Sequence, residues 1–340
     1  MLYRERGQNS ALGKTLATTS LLGSSVHTRT KLSLVRSYFG RLGPSTLREK
    51  RRLWLGILRS PVSTLRWLEK LHVLGEQSLV ETIPFDLATK PARRFLLNRL
   101  RPAQRSRLLA SHYDVLLDTL GPEDVRALLT DVGLILSAPV GRTGTRYELR
   151  LERSSRWLAK EGELSCRLLT VDGGITVATL SFTIGKIVDA GPVFLWVGGL
   201  QGCPKQYGKA FTIQVTRDLF GLRPKDLLIH AVYQFKVSFA AKSILAVSNV
   251  GHVSFDIRSG KRWMADYDQF WIELGGVARD RYTFELPSSR SRRSIEEVAP
   301  SKRSAWRLRQ ALIDEVRSDI HNCTSSRLNS AKRSFSCSKS

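Results

Sequence analysis

Two clusters of side chains have the types and spacing for chemistry. Arg217, Gly221, Leu222, Arg223 and Lys225 fall within nine residues, with Pro224 next to last. Two Arg and a Lys around a Gly, just before a long apolar segment, are suited to phosphate. The free N–H groups and the positive end of a helix bind anions, and Pro is well placed in a first helical turn. The second cluster is Asn249 followed by Asp266 and Tyr267. A tyrosine hydroxyl can donate a proton as a general acid, and Asp266 can serve as a base or as a helix N-cap. A second loop, Gln206 to Ala210, also offers a glycine and a lysine, but carries less charge than 217–225. Cys203 follows Gln201-Gly202 and could be read as a nucleophile, but no His–Asp pair is arranged to support it.

The elements that position these residues centre on 192–249. An apolar run, Val193 to Val197, breaks on Gly198-Gly199, and a second, Ile244 to Val247, breaks on Ser248-Asn249. Between them lie a loop, a helical segment, a basic turn and a long apolar helix. This is a crossover that places two parallel strands in one sheet, with any site where strands end and helices begin. Ahead of it, 146–185 alternates as three antiparallel strands, with Asp172-Gly173-Gly174 as a hairpin turn. Asp266 to Leu274 reads as a helix ended by Gly275-Gly276, and Arg281 to Leu286 as a final strand.

The N-terminal part is helical. Thr46 and Glu49 make a capping box, and Leu47, Leu53, Trp54 and Leu58 lie roughly on one face, with Trp54 and Trp67 expected in the core. Residues 91–110 carry six Arg and no acid, and Pro102 is predicted to divide them into two helices. These arginines could bind a polyanion or form a solvated face. His112 reads as a packed or surface histidine. The predicted organisation is a flexible basic arm (1–44), a helical region (45–140), an α/β domain (141–290), a C-terminal helix (291–320) and a disordered serine-rich tail (321–340).

The net charge of +24 comes from 54 basic and 30 acidic residues and attracts nucleic acid, anionic lipid or phosphorylated ligands. No helix-turn-helix or aromatic-rich RNA-binding motif accompanies it. The 42% hydrophobic content excludes global disorder. The four cysteines form no CxxC pair and no His lies at finger spacing, so no metal is expected. No stretch reaches the ~18 apolar residues of a membrane span. The acid-poor start is a poor secretory signal and has the composition of a transit peptide, but a basic arm ranks first. The expected location is the cytoplasm, with peripheral attachment at the inner membrane also open.

The order of strands, phosphate-type turn, helix and strand resembles the GNAT acyltransferase fold. That resemblance implies an acyl-CoA or acyl carrier protein thioester held by Arg217, Gly221, Leu222, Arg223, Lys225 and Asn249, with Tyr267 and Asp266 as the catalytic pair. The fold class is therefore α/β: a helical N-terminal region, then a GNAT-like mixed sheet with flanking helices. A second resemblance covers about 45–320. Gly198-Gly199-Leu200-Gln201-Gly202, Gly221-Leu222-Arg223-Pro224-Lys225, Ala246-Val247-Ser248-Asn249, Asp266-Tyr267-Asp268 and Glu273-Leu274-Gly275-Gly276, in this order, resemble the VirK/YbjX family. It implies a bacterial protein associated with virulence, envelope properties and resistance to cationic peptides, and an acceptor among envelope precursors. The alternative is a non-enzymatic regulator or adaptor that binds nucleic acid or anionic lipid through its basic surface.

Overall fold

The computed structural model describes residues 38–155, 157–255, 266–290 and 294–337, with side chains up to Ser325. Most of the basic arm and the last three residues of the tail lie outside them. After a helical stretch at 38–40, five helices among the described residues lead to the sheet: α1 (Leu47–Arg59), α2 (Pro61–Gln77), the single turn α3 (Phe85–Ala88), α4 (Pro102–Leu120) and α5 (Pro122–Leu129). The capping box forms as the sequence predicts: Thr46 accepts from the Glu49 N–H, and Glu49 reaches back to the Thr46 N–H at 2.9 Å. Pro61, Pro102 and Pro122 each stand at the start of a helix, where a missing N–H costs nothing.

Two N-terminal expectations are corrected. Trp67 is fully buried and donates its indole N–H to Leu87 O at 2.8 Å, but Trp54 is 60% exposed. The face of α1 that turns inward carries Leu53 and Gly56, and the Leu47–Trp54–Leu58 stripe faces out. Residues 93–101 are not a first helix before Pro102. Phe95, Leu96 and Leu97 are buried in succession, which no single helix face achieves, and the Leu96 N–H bonds to Lys160 O at 2.7 Å.

One mixed sheet follows: β1 (Leu134–Ser137), β2 (Tyr147–Arg153), β3 (Leu164–Thr170), β4 (Thr176–Gly185), β5 (Phe194–Gly202), β6 (Ile244–Val247), β7 (Val277–Ala278) and β8 (Thr283–Glu285). The order across the sheet is β1-β2-β3-β4-β5-β6-β8-β7. Every neighbour is antiparallel except β5 and β6, which are parallel as the crossover requires. β4 is buried along nearly its whole length, so both faces of the sheet centre are covered. The turn between β3 and β4 has Gly173 at φ 83° and Gly174 at φ 60°, left-handed conformations that favour glycine.

The crossover carries α6 (Gly208–Asp218) and α7 (Pro224–Ser238), and α8 (Tyr267–Glu273) precedes β7. α7 lies along β3 to β5, where Phe235 stacks on Phe182 at 5.2 Å. α9 runs from Arg303 to Cys337, through residues expected to be disordered. Its packing stripe continues past Val316 and Ile320 to Thr324, which donates to Ser238 Oγ on α7 at 2.9 Å. Near its middle Asp319 accepts from Ser137 of β1 at 2.6 Å. Two buried charges tie the helical region to the sheet: Lys90 pairs with Glu163, whose other oxygen accepts from Tyr113 Oη of α4 at 2.6 Å.

Candidate functional site

β5 and β6 pair only from Leu195 to Val197. Opposite Ser181 and Phe182 of β4 the register shifts, so Gly198 is an extra residue in β5. Such a bulge bends a strand and re-aims its side chains and N–H groups. β5 then continues along β4 to Gly202, while β6 ends at Val247 and the chain turns away. The one parallel pair of strands among the described residues therefore parts, and the gap is occupied by side chains from three segments.

Tyr267, the first residue of α8, reaches into the parting and accepts the Leu200 N–H at 3.3 Å. Asn249 fixes its position. The Asn249 side chain accepts the Tyr267 N–H at 2.8 Å and donates to Asp266 at 2.8 Å, while Asp268 accepts the Asn249 N–H at 2.7 Å. Asp266 also caps α8 by accepting the Gln269 N–H at 3.1 Å. Tyr267 stacks between Trp271 at 6.0 Å and His252 at 5.5 Å. Burial and the charge of Glu161 raise its hydroxyl to about 12.

Glu161 is the residue sequence reasoning does not find. It lies in the irregular segment before β3, directly over the bulge. A β-carbon on Gly198 would lie 1.7 Å from Glu161 O, and one on Gly199 2.0 Å from Glu161 Oε2. Glycine is thus required at Gly198 by close approach of the Glu161 backbone, while at Gly199 a larger residue would push the Glu161 carboxylate aside. Replacing Gly198 by Ala should cost about 3 kcal/mol or more, read from the urea midpoint, because backbone and not a flexible side chain must move. Gln201 Nε2 donates to the Glu161 carboxylate at 3.1 and 3.2 Å. The His252 ring accepts the Ser254 N–H on Nδ1 at 3.3 Å, which leaves its proton on Nε2, 3.6 Å from Glu161 Oε1. Burial raises Glu161 to about 7 and lowers His252 to about 4. A carboxylate poised near neutrality, a neutral imidazole and a tyrosine hydroxyl meet in one buried cluster, with the exposed Gln201 at its edge.

The residues expected to hold a cofactor divide into three groups. Asn249 belongs to the parting. Arg223 and Lys225 lie at the N-terminus of α7, beside the end of β5: a β-carbon on Gly202 would meet Lys225 Cε at 3.7 Å. Arg223 is the N-cap residue and makes no side-chain cap, and burial lowers the Lys225 ammonium. Arg217, Gly221 and Leu222 point elsewhere. Arg217 borders a cavity of about 390 Å³ beside Tyr147 and Phe211. Gly221, at φ 78°, and Leu222 line a cleft of about 730 Å³ between α7 and α9, where Arg309 donates to Phe220 O at 3.1 Å. Leu222 is buried in the core. Cys203 approaches Thr212 Oγ1 at 3.2 Å. Among the described residues no group of three or more His, Cys, Asp or Glu side chains could hold a metal ion, and no helix is long and apolar enough to cross a membrane.

Comparison with known proteins places this geometry in a family. Residues 43–322 match the model of DUF535, described as a protein of unknown function. The chain belongs to the DUF535 family. A relative in Escherichia coli K12, the uncharacterized protein YbjX, is 28% identical over 271 residues, covering 78% of this chain and 81% of its own. Two uncharacterized proteins of Haemophilus influenzae are 25% and 26% identical over 38% and 39% of this chain, each covering 44% of the relative. The resemblance to VirK/YbjX read from the sequence is borne out. No solved structure matches. The DUF535 match spans every element that builds the parting, from Glu161 to Trp271.

Proposed function

We propose that the protein is an acyltransferase that moves an acyl group from a thioester of CoA or an acyl carrier protein to an amine or hydroxyl. The observation that carries this reading is the parting of the parallel strands with Glu161 and Tyr267 inside it. The element order resembles that of acyltransferases of the GNAT type, and fold analogy alone would be weak. The proton-transfer groups add chemistry. Glu161 takes the proton from the acceptor as its nitrogen or oxygen attacks the thioester carbonyl. The C–S bond then breaks, the leaving thiolate receives the Tyr267 proton, and the proton that Glu161 took from the acceptor restores the Tyr267 hydroxyl, so that both groups return to their starting states. Asn249 acts through Tyr267 by fixing the start of α8, and Asp266, engaged as the cap, supports the same geometry.

The N-terminus of α7 fits the anionic end of such a donor. Its N-cap side chain leaves the first turn open, and Arg223 and Lys225 flank it at the mouth of the parting. CoA, when bound, supplies the activated acyl carbonyl and a thiol leaving group. An envelope precursor is the acceptor that the family resemblance implies. Calorimetry with a panel of acyl-CoA thioesters tests the reading. Wild type should bind, and Arg223→Ala or Lys225→Ala should weaken binding by about tenfold, the loss of one charge-assisted contact. No heat with any thioester, together with no transfer from an acyl carrier protein, would sink it.

A further inference from the structure

α1 presents a surface that the interior of the fold does not explain. Successive residues of a helix lie about 100° apart, so Leu47, Trp54, Leu55 and Leu58 share a stripe opposite the buried Leu53 and Gly56. Leu47 is 84% exposed, Trp54 60% and Leu58 76%, and Val62 at the start of α2 extends the stripe at 61%. Arg51 lies within the stripe, with Lys50 on one flank and Arg48 and Arg59 on the other, and none of these cations forms an ion pair among the described residues. A contiguous exposed apolar stripe with a tryptophan and basic flanks is the pattern of a helix lying in a membrane interface.

A second observation lies at its edge. Arg52, Arg59, Arg93 and Arg105 line a cavity of about 230 Å³ with Leu55 and Gly56, and no carboxylate lines it. Arg105 is only 9% exposed, and its Nε has no hydrogen-bond partner among the described residues. Burial lowers the Arg105 and Arg93 guanidinium groups; for Arg93 the charges of Asp86 and Glu49 oppose this and that of Arg52 adds to it. Arg93 already has Asp86 beside it and donates to Asp86 O at 3.0 Å, but the four guanidinium groups still concentrate positive charge on one small cavity, and arginine matches phosphate oxygens with paired donors. The cavity is smaller than the ~300–1,000 Å³ typical of drug-sized ligands and suits a phosphoryl group.

We propose that α1 lies in the surface of an anionic phospholipid membrane, with Leu47, Trp54, Leu58 and Val62 among the acyl chains and a lipid phosphate in the Arg52–Arg59–Arg93–Arg105 cavity. The two features are on adjoining faces of one helix, so a single approach engages both. The contact is independent of the acyl-transfer site and stands or falls without it.

The test is co-sedimentation of the full chain with vesicles of phosphatidylcholine alone or with one third phosphatidylglycerol. Binding should need the anionic lipid. It should fall by about tenfold or more in Leu47→Ser/Trp54→Ser/Leu58→Ser, whose changes are on the surface, and also in Arg105→Gln. High salt should weaken the wild type but leave the ordering of variants unchanged. Equal binding of wild type and the triple variant would overturn the proposal by assigning the membrane contact to another part of the chain. Absence of vesicle binding would also overturn it, with inorganic phosphate binding identifying a free-anion site, and a dimer lost in the triple variant identifying a second copy as the occupant of the stripe.

Discussion

Glu161→Gln is expected to abolish acyl transfer and at the same time to make the protein more stable at pH 8. Burial raises Glu161 from 4.5 to about 7. A group with a raised folded-state pKa contributes its stability in full below the unfolded value, and loses it as pH rises through the folded one. The ionised carboxylate is therefore a cost to folding at pH 8, of the order of about 2–3 kcal/mol from the shift. Gln keeps the size and one of the two oxygens that accept from Gln201, and carries no charge. The urea midpoint of the variant at pH 8 should rise, and the difference from wild type should vanish near pH 4. Activity runs the other way. The base works only when ionised, so wild-type turnover should climb through pH 7, and the variant should lose about 10²–10⁴-fold, the usual contribution of a positioned base. A variant less stable than wild type at pH 8 with unchanged turnover would reduce Glu161 to a structural role.

Lys90→Met should give the largest loss of stability of any single change at a buried charge. Lys90 is 2% and Glu163 0% exposed, and no water reaches them. Burial would raise Glu163, but Lys90, His112 and the hydrogen bonds from Lys90 and Tyr113 outweigh it and hold the carboxyl below its ordinary value. Removing the lysine leaves a buried carboxylate with Tyr113 as its remaining side-chain donor, at a cost of about 3–5 kcal/mol. The double change Lys90→Met/Glu163→Leu should recover most of that, because it removes the stranded charge. Urea titrations of the three proteins measure both outcomes. If the double variant is as unstable as the single one, packing and not charge is the cause. Glu163 has the opposite pH sense to Glu161: its contribution is present above about pH 4.5 and is lost on acidification. Two carboxylates two residues apart are thus shifted in opposite directions, because one has a cation beside it and the other does not.

The parallel crossover was legible in the sequence because two apolar runs of strand length end on Gly198-Gly199 and on Ser248-Asn249. The Asp172-Gly173-Gly174 turn and the Asp266 cap were equally plain, since their side chains and backbone freedom have local work to do. Tyr267 and Asn249 could be placed together for the same reason: both flank short segments that end elements. Glu161 could not. It has no periodic neighbours, and its partners Gln201, His252 and Tyr267 are distant in sequence. Gly198 and Gly199 carried the only local trace of it, as two glycines inside a strand. β1 and β7 are too short to show alternation. The orientation of α1 was hidden for another reason. Periodicity reveals stripes, but the larger stripe faces out, and the smaller Leu53–Gly56 side packs inward against the 3₁₀ turn Lys90–Ala92.

The single parallel pair also bears on how the chain reaches its native state. β2 to β5 are joined by short connections, so their ladders close small loops and can form early. β6 can join β5 only after about forty residues between Gly202 and Ile244 have been brought round, and the β7–β8 pair attaches to the sheet through β6. Glu161 and Gln201 belong to the part that closes early, His252 and Tyr267 to the part that closes late. In refolding, burial of the early meander should precede the docking of Tyr267 on Leu200, so that the Glu161–Tyr267 cluster assembles only once the β5–β6 crossover has closed.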